Sequence, residues 1–95
     1  MSLSHPYTIY GTIKENGAPK ANIAVTVRNE TKSEEHTVYT DSNGKYIVTV
    51  TRTDWYPSGA SEGDSIKVTV LSFSKSTTID TTAYPWGREV NISYW

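Results

Sequence analysis

The sequence predicts an all-β domain, a seven-stranded antiparallel Greek-key β-sandwich, on three observations. Valine, isoleucine and threonine supply 29 of the 95 residues whereas alanine and leucine supply seven, so strand-favouring types far outnumber the chief helix formers. Apolar and polar residues alternate in about seven short runs, and a period of two marks a strand with one buried face. The runs are separated by Asn-Gly, proline-containing and Asp-Ser-Asn-Gly segments, all strong chain reversers. Seven such strands call for two sheets packed face to face, because a single sheet leaves one apolar side in water.

The first run is Tyr7 to Ile13, with Ile9, Gly11 and Ile13 on one side. The turn Glu15-Asn16-Gly17-Ala18-Pro19 leads into a second strand carrying Ile23, Val25 and Val27. After the polar stretch Asn29 to Glu35 comes a third, in which Val38 and Thr40 oppose Thr37 and Tyr39. It ends in Asp41-Ser42-Asn43-Gly44, the strongest hairpin signal in the chain, and alternation restarts with Tyr46, Val48 and Val50. A long irregular segment, Thr53 to Asp64, precedes Ile66, Val68 and Val70. A threonine-rich run around Thr77 to Asp80 and a last run from Glu89 to Tyr94 complete the set. The core is expected to contain Ile9, Val25, Val27, Tyr46, Val48, Val68 and Ile92.

Three segments together carry a resemblance: Ile9-Tyr10-Gly11-Thr12-Ile13, then Asn16-Gly17-Ala18-Pro19 to Val25-Thr26-Val27, then Thr40-Asp41-Ser42-Asn43-Gly44-Lys45-Tyr46. The sequence over residues 7 to 50 resembles the carboxypeptidase-regulatory-like family of transthyretin-like (prealbumin-like) sandwiches. Their pattern is G-x-V, a Gly-x-Pro turn, V-x-V and T-D-x-x-G-x-Y. The glycine allows strands to approach closely, the Thr-Asp loop reverses the chain, and the tyrosine enters the core. The resemblance implies a non-catalytic module of a secreted or cell-surface protein, acting as a spacer or protein-interaction domain. Related B-type repeats of collagen adhesins carry a Lys-Asn isopeptide bond promoted by a buried acid. Lys14 and Asn91 occupy suggestive places, but the strand expected to supply the acid reads Val48-Thr49-Val50-Thr51, so no crosslink is expected.

Residues 1–6 read as a leader segment and 7–95 as a single domain excised from a longer protein. Met1-Ser2-Leu3-Ser4 has neither the basic stretch nor the apolar run of a secretory signal. A formal net charge of −1 provides no field for nucleic acid, and apolar runs of two or three residues cannot cross a bilayer. With no cysteine, disulfides, thiolate metal sites and cysteine nucleophiles are excluded. His5 and His36 stand in no catalytic or zinc-binding spacing, so neither an enzyme nor a cofactor is expected, and His36 reads as a solvated edge residue. Asp41-Ser42-Asn43-Gly44 opens like a calcium loop but fails at Lys45, Tyr46 and Arg52. Asp54, Glu62 and Asp64 are left as at most a weak calcium cluster.

The informative side chains are aromatic. Trp55 and Tyr56 lie in one predicted loop, and Tyr84 and Trp86 in another. In an antiparallel sandwich alternate connections emerge at the same end, so loops 29–36, 53–64 and 81–88 are expected to share one rim. Two readings follow. The four aromatics stack on sugar rings as a polysaccharide-binding surface with Asp54 and Arg88 as polar partners, or Trp55 and Trp86 fold inward and plug the open end of the sandwich or bury against a neighbouring domain. Two sequons, at Asn29 and Asn91, are expected at exposed positions and agree with an extracellular location.

Overall fold

In the computed structural model, which describes Leu3 and residues 5–95, the chain forms nine strands in two sheets packed as a sandwich. The first sheet is built on β1 (Thr8–Glu15), which bonds antiparallel to β2 (Ala18–Pro19) and β5 (Lys45–Thr49). It also bonds in parallel to β8 (Gly87–Glu89) and β9 (Ile92–Tyr94). The second sheet runs in the order β4 (Glu34–Tyr39), β3 (Ala24–Asn29), β6 (Ser65–Val70), β7 (Phe73–Thr78), all antiparallel.

Between the layers lie Tyr7, Ile9 and Ile13 from β1 and its approach, Tyr46, Val48 and Val50 around β5, and Val25 and Val27 from β3. Ile66, Val68 and Val70 from β6 and Val90, Ile92 and Tyr94 from the C-terminal segment complete this core. All seven residues expected in the core are buried there, since alternation commits one whole face of each strand to the same side.

Three features depart from expectation. The count is nine because a two-residue β2 closes the Asn16-Gly17 turn and the expected last strand is broken in two. The sheets are not wholly antiparallel: the chain leaves β7 in one layer and returns in the other alongside β1, running in the same direction. Asp41-Ser42-Asn43-Gly44 is not a hairpin, because β4 and β5 belong to different sheets. Thr40 sets that crossing. Its hydroxyl donates to the Lys20 carbonyl at 2.7 Å and accepts the Ile23 N–H at 3.0 Å, anchoring the end of β4 to the start of β3. Asp41 then accepts the N–H groups of Asn43 and Lys45, which holds its carboxyl below the usual range, and Gly44 turns with φ of 74°.

The break between β8 and β9 is a local interruption of pairing opposite Gly11 and Thr12, with the register to β1 the same on both sides of it. A Cβ on Gly11 would lie 2.0 Å from the Val90 carbonyl oxygen, so only glycine lets the C-terminal segment approach. The same oxygen accepts the Tyr46 hydroxyl at 2.6 Å, and burial pushes that phenol well above its ordinary pKa. Where the backbone ladder is interrupted, Asn91 Oδ1 accepts the Thr12 N–H at 2.8 Å, so a side chain replaces the missing rung.

Edge strand β7 is exposed along nearly its whole length, and Lys75 stands opposite Val68 on the side that faces the core layer. An inward-pointing lysine on an edge opposes further strand addition.

Gly11→Ala should cost at least about 3 kcal/mol, since the clash is with backbone rather than a movable side chain. Tyr46→Phe should cost about 1–2 kcal/mol by leaving a buried acceptor unpaired. Urea midpoints of the two variants against wild type check both values.

Candidate binding rim

The three loops expected at one end do meet there, through side-chain contacts. Glu34 accepts the N–H and hydroxyl of Ser58, Lys32 reaches Ser61 and Asp64, and Glu62 accepts the Thr81 N–H. The turn that starts at Arg52, whose carbonyl accepts the N–H of Tyr56 at 2.7 Å, sends the two aromatics of this loop in different directions. Tyr56 is fully buried and its hydroxyl donates to the Val27 carbonyl at 2.6 Å, with burial raising its pKa. It belongs to the core, which corrects its assignment as a ligand-binding side chain.

Trp55 is half-buried against the core, with the His36 imidazole stacked on it at 3.9 Å and the Arg52 guanidinium 3.8 Å from its ring centre. His36 is therefore a packing residue rather than a solvated one, because Val27, its neighbour across the ladder, brings it to the core-facing side of β4. Arg52 is clamped by two bonds to the Asp54 carboxylate, which lowers the Asp54 pKa.

The second loop behaves differently. Trp86 is 68 % exposed and Tyr84 is 42 % exposed, with the Arg88 guanidinium 4.3 Å from the Tyr84 ring centre. His5 meets Trp86 edge-on at 4.8 Å and its Nε2 lies 2.8 Å from the Pro85 carbonyl. Leu3, whose N–H donates to the Ala60 carbonyl, packs against the core. Leu3 and His5 are thus part of the domain rather than of a free leader; Met1, Ser2 and Ser4 lie outside the described residues. A hollow of about 300 Å³ is lined by Leu3, His5, Pro6, Thr49, Thr51 and Arg52. His5 ties it to Trp86 and Arg52 ties it to Trp55. These lining residues escaped the sequence reading because their participation depends on which strand ends lie side by side.

The acids do not gather into a cation site. Asp54 is bound to Arg52, Glu62 to Thr81, and Asp64 to Lys32, and among the described residues no three His, Cys, Asp or Glu side chains are grouped to hold a metal ion. Asp64 Oδ2 accepts Asn29 Nδ2 at 2.9 Å, Lys32 Nζ at 2.7 Å and the Ser61 N–H at 2.9 Å. Burial pushes this carboxyl up, but the three donors together outweigh burial and leave its pKa below the ordinary value.

Asn29 is fully buried in the same knot, its Oδ1 accepting the Lys32 N–H. That removes it as a glycan acceptor in the folded domain and corrects its predicted exposure. Asn91 is exposed as expected, although its Oδ1 is occupied by Thr12. Lys14 is also exposed.

No protein-family profile matches the sequence. No curated protein matches it either. Among solved structures the fold is similar to catechol 1,2-dioxygenase from Acinetobacter sp. ADP1, with a TM-score of 0.53 and 17% identity, over 82% of this chain and 39% of that one. Catechol 1,2-dioxygenase from Pseudomonas arvilla C-1 is similar with a TM-score of 0.52 and 14% identity, over 82% of this chain and 37% of that one. The likeness at these identities is one of fold, and this chain spans less than two fifths of either enzyme chain.

A carboxyl whose folded pKa is depressed contributes stability above its unfolded value of about 3.9 and loses it as the pH falls through the lower folded value. Asp64→Asn should cost about 2 kcal/mol at pH 7 by leaving Lys32 without its partner. Its urea midpoint should also fall less steeply than wild type between about pH 5 and pH 2. Parallel acid profiles for the two proteins would contradict the assignment.

Proposed function

We propose that this domain is a non-catalytic module of a larger cell-surface or secreted protein, serving as a spacer or protein-interaction unit. In its finer topology we assign it to the transthyretin-like Greek-key sandwiches. The residues of the T-D-x-x-G-x-Y segment support this reading, since Thr40, Asp41, Gly44 and Tyr46 each carry a separate structural duty. The polar side chains of the rim support it too. Asp54, Asp64, Glu34 and Glu62 are all engaged in holding loops together. The partners are neighbouring domains of the same chain or other surface proteins.

The carrying observation is the outer face of the first sheet. Tyr10 and Ile47 stand directly opposite each other on β1 and β5, 42 % and 65 % exposed, where a water-facing sheet ordinarily presents polar residues. They border a concavity of about 330 Å³ whose lining includes Asp41, Lys45 and Glu89. Apolar centre and charged border together are the anatomy of a protein contact.

Ile47→Asp should leave the melting temperature of the isolated domain within about 4 °C of wild type, since the side chain is on the surface. In the parent protein the same change should release the contact and increase protease cleavage beside the domain. An unchanged cleavage pattern would argue against this face.

A further inference from the structure

The rim hollow combines features that the spacer role does not use. Trp86 offers a large exposed ring on a loop held from three sides: the Trp86 carbonyl accepts the Thr8 N–H, Pro85 bonds to His5, and the imidazole edge meets the indole. The backbone carrying the ring is therefore held and one side of the indole is packed by His5, which lowers the ordering cost of stacking on it. The adjoining hollow, at about 300 Å³, lies at the lower end of the roughly 300–1,000 Å³ typical of small-molecule sites.

Its lining is mixed. Leu3 and Pro6 are apolar, while Thr49 and Thr51 bring hydroxyls and Arg52 a guanidinium. Among the described residues the Thr49 hydroxyl makes no hydrogen bond, and the Thr51 oxygen accepts the Tyr7 N–H while its own hydrogen remains available. Arg52 uses Nε and Nη2 on Asp54, which leaves Nη1 to donate.

Charge narrows the ligand further. The bidentate pairing with Asp54 offsets the charge of Arg52, the one arginine or lysine among the described residues that line the hollow. A ligand suited to this arrangement has one apolar face to lie on an indole, several hydroxyls on its edge to meet Thr49, Thr51 and Arg52, and no net charge. That is the chemistry of a pyranose ring.

We propose that the hollow lined by His5, Thr49, Thr51 and Arg52 binds a neutral sugar unit, with Trp86, which packs against the lining residue His5, stacking on its C–H face and Thr49, Thr51 and Arg52 Nη1 bonding its hydroxyls. The site differs from the four-aromatic surface expected from the sequence, because Tyr56 is in the core and Trp55 is engaged by His36 and Arg52. It is separate from the Tyr10–Ile47 face, so either can fail without the other.

The test titrates the domain with neutral hexasaccharides of α-linked glucose, β-linked glucose, mannose, xylose and galactose, with a galacturonate hexamer and a proline-rich decapeptide as comparisons. Tryptophan emission and backbone amide shifts are read together. At least one neutral saccharide should give a saturable change with a dissociation constant on the order of 1 mM. Trp86→Ala should weaken it at least about tenfold. Thr49→Val, which keeps the strand and side-chain volume, should weaken it about three- to tenfold. Tyr39→Ala, an exposed aromatic on β4, should leave it unchanged. Circular dichroism verifies that each variant is folded. The proposal is overturned if no neutral saccharide gives a saturable change up to about 20 mM. Binding of the galacturonate hexamer or the peptide in preference to every neutral sugar overturns it as well, as does saccharide binding unaltered in both Trp86→Ala and Thr49→Val.

Discussion

Every strand of the first sheet bonds to β1 and takes its place through that strand, so half of the sandwich depends on one segment that is paired on both sides. The constraint is sharpest at Gly11. On one side β5 pairs through Tyr46, and on the other the Val90 carbonyl of the C-terminal segment occupies the space of a missing side chain. The Tyr46 hydroxyl crosses to that carbonyl and Asn91 restores the rung to Thr12. Four residues distant in sequence thus satisfy one another's backbone groups at a point where regular pairing fails, and a buried polar group left unpaired there would cost about as much as a lost hydrogen bond.

The rim is a second polar assembly of a different kind. In it Lys32, Asn29, Asp64 and Ser61 form a partly buried knot, and Glu34 and Glu62 bind backbone N–H groups of neighbouring loops. These bonds hold the long 53–64 segment against the strands, which lets Tyr56 reach the Val27 carbonyl and seats Trp55 over His36. Neither reading of the aromatic loops holds whole, since Tyr56 is in the core and Trp86 does not fold inward. One loop closes the end of the sandwich and the other presents Trp86 to solvent. A small core gains most by covering its open end with large apolar groups, and only one loop is needed to do so.

The likeness to two catechol 1,2-dioxygenases bears on architecture, since a sandwich of this kind supports unrelated functions. What this chain can do resides in the side chains placed on its own surfaces. The exposed Tyr10–Ile47 pair borders one concavity, beside Asp41, Lys45 and Glu89, and Thr49, Thr51 and Arg52 line another at the rim.

By itself the sequence determined the class, the core and several turns, because a period of two commits alternate side chains to one face whatever lies opposite. Ile9, Val25, Val27, Tyr46, Val48, Val68 and Ile92 are buried for that reason. Asn16 and Gly17, both with positive φ, form their turn from local chemistry alone. Long-range choices were beyond reach of such rules. Asp41 to Gly44 reads as a hairpin locally, but Thr40 binds Lys20 and Ile23 and the chain crosses to the other sheet. The parallel pairing of β8 and β9, the burial of Asn29 and Tyr56, and the gathering of His5, Thr49, Thr51 and Arg52 around one hollow each depend on partners between 29 and 80 positions away along the chain. Tertiary structure decided them, because an exposed and a buried loop residue have the same local propensity and differ only in what the rest of the fold brings against them.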